Sequence, residues 1–233
     1  KGGLYDNTPW DEYLQKTLNG RGATKNMTLG ALDVASGDYV DLTDLITTEK
    51  LEDAVFAATA LNVFFPPVTE FGREWFDGAG IWSIEVIGPI KKCEEMGYDR
   101  SDIVVDVLMT TSDTLPTRDA DNDKTIPSVI RYLEISEFYA GVDGIQRAVY
   151  GFPQINFRHC VYPGDKELPT NWFPFDFKQS KVDDLLERGY EDAKRTISMK
   201  PKESCYTMID KGKKMKKPTP PAEFDSFLKG QIN

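Results

Sequence analysis

The stretch that decides the fold runs from residue 60 to residue 80. It begins with the apolar run Ala60-Leu61-Asn62-Val63-Phe64-Phe65-Pro66-Pro67-Val68 and ends in Trp75-Phe76-Asp77-Gly78-Ala79-Gly80. The two prolines end any regular helix and stiffen the approach to an extended segment from Val68 to Phe76. This segment delivers one acidic residue, Asp77, into a glycine turn. A carboxylate held there can act as a catalytic base, although Asp-Gly is also what an ordinary turn requires.

Outward from this stretch, the chain alternates between helical and extended patterns. Apolar spacing and end signals predict helices over Thr8 to Leu18, Thr47 to Leu61, Ile84 to Met96, Ile126 to Tyr150 and Lys181 to Ile197. Gly88-Pro89 should kink the third helix or confine it to its second half, and the fourth should be two helices broken near Gly141 and Gly144. The small residues Ala57, Ala58, Thr59 and Ala60 should let the second helix lie close against a sheet.

Extended segments fill the intervals between these helices. Two of them flank Ala35-Ser36-Gly37-Asp38 and predict a β-hairpin, Met27 to Val34 and Tyr39 to Leu42. Ile103 to Met109 is β-branched and predicts a buried parallel strand, and Ile155 to Tyr162 predicts another strand. The alternation predicts an α/β chain with helices packed on a mostly parallel sheet.

Composition narrows the class of protein. The 233 residues carry a net charge of −10, which argues against a general nucleic-acid binder. There is no apolar run long enough to span a membrane, and the compartment stays open. No Gly-rich phosphate loop, dinucleotide fingerprint or redox motif is present, so we expect no cofactor. One folded unit over residues 1–198 and a basic, proline-containing tail over residues 199–233 are the expected organisation.

The region around Asp77 resembles the patatin-like lipid acyl hydrolases. These proteins carry a small-residue helix, a segment like Ala60 to Val68, then a strand and an Asp-Gly-Gly or Asp-Gly-Ala turn, matched by Asp77-Gly78-Ala79. Gly2 to Pro9 resembles the family's segment after the nucleophile helix, and the hairpin sits where the family places one. The resemblance covers residues 2–111, the C-terminal part of a patatin domain, and later residues match loosely.

This resemblance implies a three-layer α/β sandwich, incomplete in this chain, and a Ser-Asp dyad that hydrolyses lipid or phospholipid esters, with Asp77 as the base. The family's Gly-x-Ser-x-Gly nucleophile elbow and its glycine-rich oxyanion loop are both absent from the 233 residues. Because the chain also lacks an initiator methionine, we expect the serine on an upstream segment or a companion chain. Alone, this chain should be inactive. The family's polar segment after the aspartate is replaced by Ser83-Ile84-Glu85.

Two other functions stay open. A non-catalytic interaction or structural subunit could keep this fold without the chemistry, in agreement with the absent serine. A storage protein is compatible with an acidic globular chain but has no residue-level support. Under the hydrolase hypothesis, Phe64 and Phe65 would help to wall the acyl site, although core packing explains them equally well.

The cysteines, the histidine and a lysine-rich segment are further candidate sites. Cys93, Cys160 and Cys205 are too few and too widely spaced for a disulfide framework or zinc cluster, so free structural thiols are expected. His159, the sole histidine, is expected to be structural. The lysines between Lys211 and Lys217 could contact anionic lipid headgroups or simply be solvated.

The chain also contains two short motifs typical of calcium loops and of N-glycosylation. Asp119, Asp121 and Asp123 begin like a calcium loop, but Lys124 and Ile130 occupy its glycine and glutamate positions, so a solvated acidic loop is expected. Asn26-Met27-Thr28 fits the N-glycosylation sequon, which matters only if the chain is secreted.

Overall fold

The computed structural model describes residues 2–18, 20–44, 50–62, 64–115, 117, 124–164 and 178–215. Within these residues the chain is an α/β protein with a small antiparallel sheet and a two-stranded parallel sheet. The helices are α1 (Thr8–Leu18), α2 (Leu51–Ala58), α3 (Ile87–Glu95), α4 (Thr125–Gly151), α5 (Gln179–Ser198) and α6 (Glu203–Met215). The strands are β1 (Gly30–Asp33), β2 (Tyr39–Asp41), β3 (Val68–Glu70), β4 (Arg73–Asp77), β5 (Val104–Leu108) and β6 (Asn156–Val161).

The antiparallel sheet has the strand order β2-β1-β4-β3. The predicted hairpin is confirmed as β1 and β2, with Ala31 opposite Val40 and Gly37 in the left-handed region at φ 77°. The prediction of one extended segment from Val68 to Phe76 is wrong, because a turn at Phe71 and Gly72 divides it into two strands. Phe71 and Gly72 both have positive φ, so Val68–Glu70 folds back on Arg73–Asp77 as a second hairpin.

A small core lies between this sheet and α2. Trp75 is fully buried, and its indole N–H donates to the carbonyl of Glu70 at 2.9 Å. Ala54 and Ala57 of α2 are also fully buried against the sheet, together with Ala31. Because methyl side chains let a helix backbone approach closely, the predicted close packing of this helix is confirmed.

The parallel sheet and its helices form the larger core. β5 and β6 pair in parallel, and α3, α4 and α6 supply much of the apolar side of this core, including Ile90, Val142, Ile145 and Met208. The strand β5 is buried on one face alone. Val107 is 7% exposed, whereas Val104 and Leu108 are 50% and 80% exposed. The expectation of a buried strand is therefore wrong for three of its five side chains.

The expectation of a mostly parallel sheet is also wrong for the strands that the structure describes. Three of the four described strand pairs are antiparallel. The two hairpin turns are too short for a parallel connection, which needs a crossover of a dozen or more residues. Such a crossover exists between β5 and β6, where α4 intervenes.

The expected break in the fourth helix is absent, because α4 runs unbroken through Gly141 and Gly144. A side chain at Gly141 would lie 3.0 Å from the Thr111 hydroxyl oxygen, and one at Gly144 would lie 3.2 Å from Ile84 Cβ. The two glycines therefore let neighbouring segments pack directly on the helix. Burial of Phe138, Val142 and Ile145 on the same helix offsets the poor helix propensity of glycine.

The segment expected as a tail from residue 199 contains α6, and that helix packs in the larger core. Cys205, Met208 and Ile209 are fully buried, and Lys211 forms an ion pair with the buried Asp113. Cys205 is disulfide-bonded to Cys160 of β6, which corrects the expectation of three free thiols. The sequence hid this pair because 45 positions separate the two cysteines. Cys93 remains a thiol.

Candidate active site around Asp77

Asp77 is fixed at a junction of three elements. It is the last residue of β4 and lies opposite Ala31 of β1. Its backbone N–H donates to the carbonyl of Ala60, just beyond α2, at 2.9 Å. The predicted position at the end of a strand is therefore confirmed, and both the sheet and the small-residue helix hold the backbone there.

The side chain of Asp77 starts the next turn. Its Oδ1 accepts a hydrogen bond from the Ala79 N–H at 2.8 Å and caps the short 3₁₀ turn Gly78–Gly80. Burial raises the pKa of the Asp77 carboxyl, and the hydrogen bond from Ala79 offsets part of that rise. A raised pKa makes a carboxylate a better proton acceptor, which suits a general base. The cap alone, however, gives Asp77 a structural reason to be present.

Gly78 is required by close packing between strands. A side chain there would lie 2.6 Å from the carbonyl oxygen of Gly30 and 2.9 Å from a ring carbon of Tyr39. Both Gly30 atoms nearest to it are backbone atoms, which cannot rotate away. The Asp-Gly pair therefore reflects sheet geometry as well as turn formation.

Tyr39 is a neighbour of Asp77 that sequence reasoning missed. Burial, together with the negative charges of Glu85, Asp41 and Asp77, raises the pKa of Tyr39 to about 12. Its hydroxyl is therefore protonated at ordinary pH and can donate a hydrogen bond. The alternation of side chains along β2 gave no sign that Tyr39 lies near Asp77, because the pairing of strands in the sheet brings these two residues together.

The segment Ser83-Ile84-Glu85, which departs from the patatin pattern, has a structural role. Glu85 Oε1 accepts hydrogen bonds from the backbone N–H groups of Ile87 and Gly88 at 2.6 and 3.0 Å. These are free donors at the start of α3, so Glu85 caps that helix. Trp82 meanwhile packs on Tyr39, with ring centroids 5.1 Å apart.

Two cavities adjoin the segment that follows the Asp77 turn. One, of about 310 Å³, lies between residues 81–87 and α4. The other, of about 380 Å³, lies between residues 83–93 and β5. Apolar side chains predominate in both linings, including Ile84 and Val86, which suits an acyl chain. Asp77 lines neither cavity.

Phe64 and Phe65 also lie away from these two cavities. The carbonyl of Phe64 accepts from the Tyr5 N–H at 2.8 Å, and the rings of Tyr5 and Phe65 are 6.2 Å apart. The apolar run therefore anchors the N-terminal segment in the described structure. Phe64 and Phe65 line neither cavity, so the cavities do not support the hypothesis that these two residues wall an acyl site.

The other candidate residues do not join the Asp77 site. His159 lies on β6, where its Nδ1 is buried with no hydrogen-bond partner in the described part of the chain. Lys213 donates to the Tyr150 hydroxyl at 3.0 Å. The acidic loop of Asp119, Asp121 and Asp123 lies outside the described residues. Where side chains are described, no cluster of three metal-binding residues occurs.

Neither models of known protein families nor a search of characterised proteins gives a match to this sequence. Among the described helices, none is both long and apolar enough to cross a membrane.

Proposed function

We propose that this chain is part of a patatin-like lipid acyl hydrolase and supplies the aspartate of its Ser-Asp dyad. The observation that carries the proposal is Asp77: a half-buried carboxylate of raised pKa, fixed at a strand end in an Asp-Gly-Ala turn. The α/β architecture supports it, as do the two apolar cavities beside the segment that follows the turn. The serine lies on a segment outside these 233 residues.

The proposed chemistry needs a nucleophile, the serine hydroxyl, and a base, the Asp77 carboxylate. Asp77 accepts the proton of the serine hydroxyl while the serine oxygen attacks the ester carbonyl, and Asp77 then returns that proton to the alcohol oxygen as the ester C–O bond breaks. Because Oδ1 is held by the Ala79 N–H, Oδ2 is the oxygen that takes the proton. Water then releases the fatty acid from the acyl-serine. Backbone N–H donors on the serine-bearing segment would stabilise the oxyanion.

The edge of β5 that faces away from β6 offers a place for the serine-bearing segment. The carbonyl of Ile103 and the N–H of Met109 both bond to residues next to or within β6. Backbone groups alternate along a strand, so those of Val104, Asp106 and Leu108 point to the opposite edge, where no described strand pairs. The 380 Å³ cavity beside β5 also touches residues 83–86, soon after the Asp77 turn. A strand added there would extend the parallel sheet towards the patatin-like sandwich.

A non-catalytic structural or interaction subunit is the second candidate. Two observations favour it. The chain contains no Gly-x-Ser-x-Gly, and the hydrogen bond from Ala79 to Asp77 Oδ1 gives Asp77 a structural role that requires no catalysis. This candidate requires the same fold but no serine near Asp77.

Native mass spectrometry and peptide mapping of the protein from its natural source test the two proposals. The hydrolase proposal expects a companion segment that carries Gly-x-Ser-x-Gly and reacts with a fluorophosphonate. In that assembly, Asp77→Asn should lower ester hydrolysis by at least about a hundredfold while the exposed-turn control Asp38→Asn leaves it unchanged. A homogeneous 26.3 kDa chain without a companion would leave the non-catalytic subunit as the better account.

A further inference from the structure

The disulfide between Cys160 and Cys205 bears on the compartment in which the chain folds. It joins β6 to α6, and both cysteines are fully buried in the larger core. Their Cα atoms are 4.9 Å apart, within the range that a disulfide bridges without backbone movement. Structural disulfides of this kind form and persist mainly in oxidising compartments such as the secretory pathway.

A second, independent feature, an N-glycosylation sequon, is typical of proteins from the same compartment. Asn26-Met27-Thr28 is the one N-x-Ser/Thr sequon without a central proline in the 233 residues. It lies in the loop between α1 and β1, and Asn26 is exposed. A transferase can therefore reach the Asn26 amide from solvent, as glycosylation requires.

The local contacts of Asn26 tolerate the modification. Its Nδ2 lies 3.2 Å from the sulfur of Met96, at the end of α3. An N-linked sugar replaces one of the two Nδ2 hydrogens, so the other can keep this contact. The other two residues of the sequon, Met27 and Thr28, are part-exposed. The loop needs no rearrangement to present the Asn26 side chain.

We infer that Asn26 carries an N-linked oligosaccharide. The donor is a lipid-diphosphate-linked oligosaccharide: a bond forms between sugar C1 and Nδ2, the bond from C1 to the phosphate oxygen breaks, and Nδ2 loses one proton as the lipid diphosphate leaves. This inference rests on the disulfide and the exposed sequon, and it does not depend on the hydrolase proposal.

The test uses protein purified from its natural source. Treatment with peptide N-glycosidase in heavy-oxygen water should lower the intact mass and convert residue 26 to heavy-labelled aspartate. Non-reducing peptide mapping of the same sample should recover Cys160 linked to Cys205. An intact mass that the glycosidase leaves unchanged, or Cys160 and Cys205 recovered as thiols, would overturn the inference.

Variants secreted from eukaryotic cells provide the matched controls. Asn26→Gln and Thr28→Ala should each abolish the mass shift, whereas Thr28→Ser, which keeps the sequon, should retain it. Glycan on Thr28→Ala would show that modification occurs elsewhere and would contradict the assignment to Asn26. All three substitutions lie in the loop between α1 and β1, outside both cores, so we expect each variant to fold. Recovery of the Cys160–Cys205 link in each variant verifies this.

Discussion

Asp77 shows how one carboxylate can serve structure and chemistry together. One oxygen caps the turn that follows β4, while partial burial raises the pKa of the whole group. A raised carboxyl pKa means that the folded state holds its proton more tightly than the unfolded state. The folded protein is therefore penalised when Asp77 ionises, which is a cost that a purely structural cap does not need.

Asp77→Asn separates these effects, because asparagine can keep the cap. Above the ordinary pKa of 3.8, the wild type should lose stability relative to Asp77→Asn as the pH rises through the raised folded pKa. Urea unfolding of both proteins from about pH 3 to about pH 7 measures this difference. A difference that instead grows in favour of the wild type would mean that the Asp77 pKa is lowered.

Gly78→Ala tests the close approach between β1 and the turn. The new methyl would meet the Gly30 backbone, so we expect a loss of about 1–3 kcal/mol in the free energy of unfolding. The control is Gly80→Ala in the same turn, where the nearest atom, Leu32 Cδ1, would be at an ordinary 3.7 Å. Equal losses in the two variants would exclude the backbone clash as the cause.

At the scale of elements, α6 is the part of the chain that composition described least well. Its lysines suggest a solvated tail, yet its other face supplies Cys205, Met208 and Ile209 to the core. It contacts both α4 and β6. The stability of the larger core should therefore depend on α6.

Removing the link between β6 and α6 tests that dependence. The double variant Cys160→Ala with Cys205→Ala should lose about 2–4 kcal/mol in the free energy of unfolding, because the unfolded chain regains the freedom that the disulfide removes. Cys93→Ala, at a partly buried free thiol, is the control and should lose about 1 kcal/mol or less. Guanidinium unfolding without reductant makes the comparison. Matching losses would show that the link adds little.

Two helix glycines form another matched pair. Gly212→Ala in α6 would drive a methyl onto the Cγ atoms of fully buried Val142, one of them at 2.9 Å, and should destabilise the fold by about 1–3 kcal/mol. Gly189→Ala in α5 meets nothing within 4 Å and should stabilise it by about 0.4–1 kcal/mol. Thermal melts of both variants test the opposite signs. A stabilising Gly212→Ala would mean that α6 does not pack on α4 as described.

At the scale of the whole molecule, a net charge of −10 opposes binding to anionic surfaces, so any contact with lipid must be local. Lys211 pairs with the buried Asp113, and Lys213 contacts Tyr150 at the surface. If this region contacts lipid rather than being simply solvated, the lysines other than Lys211 are therefore the better candidates for that contact.

Neutralising those lysines should weaken binding to phosphatidylserine vesicles by about tenfold or more at low salt, since each lysine near the membrane contributes about 1 kcal/mol. The quadruple variant is Lys213→Gln, Lys214→Gln, Lys216→Gln and Lys217→Gln. Vesicle sedimentation compares it with a variant of equal charge change at four exposed lysines, Lys16→Gln, Lys25→Gln, Lys50→Gln and Lys91→Gln. Equal weakening in both variants would indicate net charge alone and contradict a contact at residues 211–217.

Local sequence patterns were sufficient to predict the type and approximate position of most elements. The hairpin around Gly37, the helix rich in alanine and the delivery of Asp77 from a strand into a glycine turn were all predicted. These features follow from local propensity, apolar period and turn chemistry, which act over a few residues.

How these elements pack against one another could not be predicted from local patterns and is seen only in the folded chain. The tertiary structure set the antiparallel pairing around Asp77, the unbroken course of α4, the approach of Tyr39 to Asp77, and the burial of α6 through Cys160 and Cys205. Each depends on contacts between residues far apart in the chain. By local rules, the glycines of α4 predict a helix break and the lysines of α6 predict a solvated tail. Both predictions fail because the free energy gained by burying other side chains of the same helix exceeds the differences in helix propensity.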